Sequence, residues 1–140
     1  MKKPSKKELN TILMQHMVWL VSDKKKGKQA NLSNMDLKGL NFMEADLSEI
    51  DFREVNFSGA DLREANLSDT YFRGSDFRNV NFEGANLIWS NFRDVNFSGA
   101  NVCRAYFKDS DFRGADFSGV DMSQVCFGGS NLGVRKWKAK

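Results

Sequence analysis

Every fifth residue from Leu32 to Leu132 is apolar, and this unbroken run of twenty-one positions constrains the fold more than anything else in the 140-residue chain. Twelve of the positions are Phe, which is every Phe in the protein; seven are Leu, and Val102 and Met122 complete the column. A residue type confined to one column marks a core. Neither regular period accounts for it, because a helix repeats its apolar face at about 3.6 residues and a half-buried strand at 2. A spacing of five requires the backbone to regain one orientation after a short extended segment and a corner.

The neighbours of each centre fill in the unit. Two residues before it stands, in most units, a small or β-branched residue such as Ala30, Ala45, Ile50, Val55, Ala60 or Ala65. Positions two apart on an extended segment face the same way, so both point inward. Between them stands Asn or Asp in eighteen of the twenty-one units. That short side chain can bond nearby backbone groups and hold a bend. Positions twenty apart are more uniform still: Phe52, Phe72, Phe92 and Phe112 form one column, and Arg53, Arg73, Arg93 and Arg113 form another. Four units to a coil, and hence a four-faced tube, follow from that period.

The units Ala60-Asp61-Leu62-Arg63-Glu64, Ala65-Asn66-Leu67-Ser68-Asp69 and Ala115-Asp116-Phe117-Ser118-Gly119 resemble the consensus of the pentapeptide-repeat family, Ala-(Asp/Asn)-Leu-X-X. The resemblance implies an all-β solenoid, a right-handed quadrilateral β-helix, here of about five coils and roughly 25 Å long at the spacing of paired strands. It extends upstream, where Leu9, Ile12, Leu13, His16, Trp19 and Leu20 match a helix that precedes the repeats in many members. Ser5 and Glu8 have capping-box spacing, so the helix is expected to begin there and run to about Ser22. Its apolar stripe can cover the open end of the first coil, which otherwise bares core and unpaired edges. Met14, Met17, Val18 and Val21 fall off that stripe and form a second apolar face. The expected organisation is a basic arm and capping helix over 1–29, the solenoid over 30–134 and a basic tail over 135–140.

Charge is divided along the chain. The net +3 hides +6 on 1–29, −7 on 30–134 and +4 on the tail. The basic pI therefore does not identify a polyanion partner, because the body itself is acidic. Gln15 and His16 interrupt the upstream apolar run, no small-residue cleavage site follows, and the run is too short for a span. A cytoplasmic protein with no membrane segment is expected, with Cys103 and Cys126 as separate reduced thiols.

Candidate sites are all on the outside or at the tips. The column Arg53, Arg73, Arg93 and Arg113 could grip a carboxylate- or phosphate-bearing partner; the plainer reading is a solvated ladder offset by Asp51, Glu54, Asp94 and Asp111. Ile88 and Trp89 put two large apolar residues where other units carry Ser, Arg, Gly or acid, with Tyr106 one coil on from the adjoining Asn86. Such a patch suits a partner surface, or the N-terminal arm could pack on it. Trp137 could fold over the C-terminal end, or two chains could meet there; the resemblance supports a homodimer through that end. His16, the sole histidine, reads as a packed core residue, and no nucleophile and base can be assembled around it. No enzyme activity, cofactor or metal is expected, and nucleic acid is an unlikely ligand because aromatic platforms for single strands are missing. These readings give a non-enzymatic protein-interaction or scaffold module. The alternative that the resemblance permits is a DNA-mimicking modulator of DNA gyrase or topoisomerase, opposed by the arginine column, the basic ends and the absence of inserted loops.

Overall fold

The computed structural model describes residues 1–131. Leu132, Val134, Trp137 and the basic tail, with any contact between copies at that end, lie outside the described residues. From Asn31 to Asn131 the backbone pairs in parallel with itself one coil later, as in Asn31↔Asp51, Asp51↔Tyr71 and Asp111↔Asn131. The coil is therefore twenty residues long, as the period in the sequence predicts. Each side of the tube contributes single bridged residues and not long strands, because only about three of every five residues are extended before the chain turns.

The turn chemistry explains the period. The second residue after the centre has positive φ in every unit from Leu32 to Phe117, for example Asn34 at 61°, Glu54 at 57° and Gly74 at 75°. The centre's carbonyl accepts from the residue three along, as in Ala45 N to Phe42 O at 3.0 Å. The Asn or Asp before the centre stays on the flat side, where it also holds the bridge, and its Oδ1 accepts from the amide two residues on (Ser33 N to Asn31 Oδ1, 2.9 Å; Met43 N to Asn41 Oδ1, 2.9 Å). The corner itself is made by the two residues that follow the centre. The side chain thus tightens the approach to the bend, which is why one short polar residue type recurs there.

Inside, the centre column from Leu32 to Phe117 is buried throughout. Phe52, Phe72, Phe92 and Phe112 form an offset stack of nearly parallel rings with centroids 5.1–5.3 Å apart, and Phe52 meets Phe57 edge-on at 5.0 Å. Both geometries suit the ring quadrupole. Met122 and Phe127, in the last coil of the described residues, are only partly buried.

The other end is closed by α1 (Lys6–Val21). Ser5 is its N-cap, its Oγ accepting from Glu8 N at 3.1 Å. Leu9 and His16 are buried, and Ile12 and Leu13 pack on the first coil. The N-terminal arm is not the free basic segment that its lysines suggest. Lys2 pairs in parallel with Met35, its carbonyl accepting from Asp36 N at 2.7 Å, and Pro4 is buried. The arm thereby covers part of the first coil's open edge.

Candidate functional site

The four sides of the tube can be named by their bridged residues. The first carries Asp51, Tyr71, Asn91 and Asp111, and the fourth carries Asp46, Asn66, Asn86 and Tyr106. Where the fourth side turns into the first, the corner column reads Glu49, Asp69, Trp89, Asp109 and Gly129.

Trp89 stands on that corner with φ 52° and is 61% exposed. A left-handed conformation is uncommon for a bulky residue. The ring is held all the same: Trp89 N donates to Lys108 O at 3.0 Å, and Nε1 donates to Asp109 Oδ2 at 3.1 Å one coil on. Ile88, the other residue of that corner, is half-buried, its amide donating to Asn86 Oδ1 at 3.2 Å. Tyr106 is bridged to Asn86 and more than half exposed, so it shares the fourth side. The arm at Met35 is on a different side and in the first coil, so it does not cover the patch.

Between the corner and the first side runs an open groove of about 440 Å³, lined by Tyr71 and Trp89 and by Asp69, Asp109, Asn91 and Asp111. Burial, followed by the neighbouring Glu49, pushes the Asp69 carboxyl above its ordinary range. The groove floor is a ladder of hydroxyls. Thr70 N donates to Ser90 Oγ at 3.2 Å and Ser90 N to Ser110 Oγ at 3.0 Å, while Ser90 Oγ and Ser110 Oγ donate to the carbonyls of Leu67 and Leu87 at 3.0 and 2.8 Å. Sequence reasoning missed both this ladder and Tyr71. The signal for Tyr71 was its place in an Asn/Asp column, the same departure that marks Tyr106.

The arginine column stands at the opposite corner of the first side, where it turns into the second, and its members are not equivalent. Arg53 grips Asp51 through Nε (2.9 and 3.1 Å) and a terminal nitrogen (2.6 Å), and Arg113 grips Asp111 in the same way. The residues two before Arg73 and Arg93 are Tyr71 and Asn91, so that local clamp is impossible for them. Arg73 instead lies 3.6 Å from Asp94. The Arg113 hydrogen bond to Asp111 holds that carboxyl below its ordinary range against the opposing effect of burial. The column therefore exposes two committed and two more available guanidiniums.

His16 is fully buried and has both ring nitrogens engaged, with Ala30 N at 3.0 Å and Ser48 O at 2.7 Å. Cys103 and Cys126 are free thiols, the first at the corner after the third side and the second on the fourth side. Among the described residues no group of His, Cys, Asp or Glu is arranged to hold a metal ion.

The family model for pentapeptide repeats (8 copies) matches residues 28–59, 56–94 and 90–129, which is most of the chain. The protein belongs to the pentapeptide-repeat family. Solved structures agree on the β-helix. A pentapeptide repeat protein of the Arabidopsis thaliana thylakoid lumen is 28% identical with a TM-score of 0.58, over 69% of this chain and 65% of that one. The chain thus spans just under two thirds of that relative's length. QnrB1, a plasmid-mediated fluoroquinolone resistance protein, is 24% identical with a TM-score of 0.65, over 84% of this chain and 68% of its own. A pentapeptide repeat protein from Nostoc PCC 7120 is 17% identical with a TM-score of 0.61, over 91% and 96%. At the identities of the last two, the likeness is one of fold. No curated protein matches the sequence.

Proposed function

We propose that this pentapeptide-repeat protein is a non-enzymatic interaction module that offers the corner around Trp89 to a protein partner. The observation that carries the reading is an exposed indole held at a turn position where a left-handed backbone disfavours bulky residues. A ring kept there against its backbone preference, fixed by Asp109 and flanked by Tyr71 and Tyr106, has the character of a binding hot spot. Arg73 and Arg93, without a carboxylate two residues before them, stand at the other corner of the first side and offer charge that an acidic partner could meet. Ile88 adds apolar area at the edge. Two free thiols suit a reducing compartment, and the cytoplasm is the proposed location.

Affinity capture with wild-type and Trp89→Gly baits tests the reading. A partner retained by the first and lost by the second is the expected result, and identical partner lists would remove the surface from consideration. The acidic body is the one feature favouring a DNA-mimicking modulator of DNA gyrase or topoisomerase. A change in gyrase supercoiling at stoichiometric protein would favour that reading over ours. Light scattering on full-length and tail-deleted chains tests the homodimer proposed for the C-terminal end.

A further inference from the structure

Helix α1 is apolar on two opposite faces. One packs on the first coil. The other presents Met14, Met17, Val18 and Val21, which are 66, 41, 37 and 77% exposed. Their spacing of three, four and seven residues places them in one stripe along the helix. An apolar stripe on a helix is ordinarily turned toward other apolar groups, so this stripe is a surface in want of an occupant.

The chain after α1 frames the stripe with charge. It reverses at Ser22, and Lys24 N donates to Trp19 O at 2.8 Å while Lys28 N donates to Gln15 O at 3.1 Å. Lys24–Lys28 is thus a strap running back along the helix. Gly27 permits the close approach: its φ is +72°, and a Cβ there would lie 2.7 Å from Trp19 N and 2.9 Å from Val18 Cβ. The strap is held hard against the helix beside Val18. Lys25, Lys26 and Lys28 are exposed on it, and Lys3, Lys6 and Lys7 are exposed at the other end of the helix. Among the described residues, the ion pairs of this region are Lys2 with Glu8 and Lys24 with Glu49, and neither uses those six lysines.

We propose that this tip docks on the surface of an anionic lipid bilayer. Helix α1 lies in the interface with Met14, Met17, Val18 and Val21 among the headgroups, and the lysines sit over lipid phosphates. This is surface docking and not a span: α1 has 16 residues, and among the described residues no helix is long and apolar enough to cross a membrane. Charge selects the occupant. A second copy meeting this face would set one +6 segment against another. A bilayer supplies apolar and anionic character in one plane, which matches the lysine-framed stripe. The −7 of the repeat body is repelled by the same surface, so the rod stands away on its tip.

The test is co-sedimentation of the full-length protein with vesicles of phosphatidylcholine alone, and of phosphatidylcholine and phosphatidylglycerol in equal parts, at low and high salt. Binding to the mixed vesicles only, weakened by salt, is expected. A Met14→Gln, Val18→Gln, Val21→Gln variant should bind at least about tenfold more weakly. A Lys25→Gln, Lys26→Gln variant should lose roughly fivefold per lysine. All these positions are exposed, so circular dichroism should be unchanged, and a chain lacking 135–140 should still bind. The proposal is overturned if wild type ignores anionic vesicles, if the apolar variant binds as well as wild type, or if removing the tail alone abolishes binding. It is also overturned if light scattering shows a dimer that the apolar variant splits, or if the stripe captures an acidic protein while vesicles go unbound.

Discussion

His16 Nε2 donates to the Ser48 carbonyl at 2.7 Å, joining α1 to the last corner of the first coil. The opposite nitrogen, Nδ1, accepts from Ala30 N at 3.0 Å, which requires the ring proton to be on Nε2. The buried imidazole thus satisfies one donor and one acceptor that no water reaches. His16→Ala leaves both without a partner and adds a cavity, so it should cost roughly 2–5 kcal/mol. Urea unfolding followed by the helical dichroism signal measures it. A loss below about 1 kcal/mol would show that the clamp is dispensable.

Phe72 lies in the middle of the ring stack, fully buried between Phe52 and Phe92. Phe72→Ala should cost about 3–5 kcal/mol. Ser68 is half-exposed, and its hydroxyl donates only to Asn66 Oδ1 at 2.8 Å. Ser68→Ala should stay under about 1 kcal/mol. Equal denaturation midpoints for the two variants would contradict the inward and outward assignment.

Gly27 and Gly59 have nearly the same backbone, with φ +72° and +70°, but different surroundings. Nothing lies within 4 Å of a Cβ added at Gly59, whereas one at Gly27 would strike α1 backbone. Gly59→Ala should therefore cost only the left-handed penalty of about 1–2 kcal/mol. Gly27→Ala should cost more, since the strap must lift from the helix. Thermal unfolding of the two variants decides, and a Gly27→Ala loss no larger than that of Gly59→Ala would mean the strap is not pressed to α1.

Arg63 donates to Asp61 through Nε at 3.0 Å and a terminal nitrogen at 2.7 Å, and that bond holds the carboxyl below its ordinary range. A carboxyl with a depressed folded pKa stabilises the fold fully above the unfolded value near 4, and the contribution is lost as pH falls through the folded value. Arg63→Met should move the Asp61 titration up toward the ordinary value, read by carboxyl-carbon NMR. An unmoved titration would remove the clamp as its cause.

Trp89→Gly relieves a left-handed backbone worth about 1–2 kcal/mol and gives up the indole bond to Asp109, worth about 1. Stability should therefore change by no more than about 1 kcal/mol while partner capture is lost. A destabilisation above about 2 kcal/mol on chemical denaturation would make the ring structural and withdraw the reason for its proposed role.

The column of Leu and Phe centres, the twenty-residue coil and the helix that closes one end are all legible in the order of the residues. These depend on spacing along one segment, and every unit repeats the same local turn, so the pattern is written many times over. The pairing of Asp51 with Arg53 and of Asp111 with Arg113 was also within reach, since the partners are only two residues apart across one turn. The folded chain alone shows that Lys2 pairs with Met35, that Tyr71 and Trp89 share a groove, and that the lysine strap lies beside Val18. Each of those contacts joins residues nearly a full coil apart in the chain, or from outside the repeat. No period specifies them, because the partner is chosen by how the finished coils and the cap settle against one another.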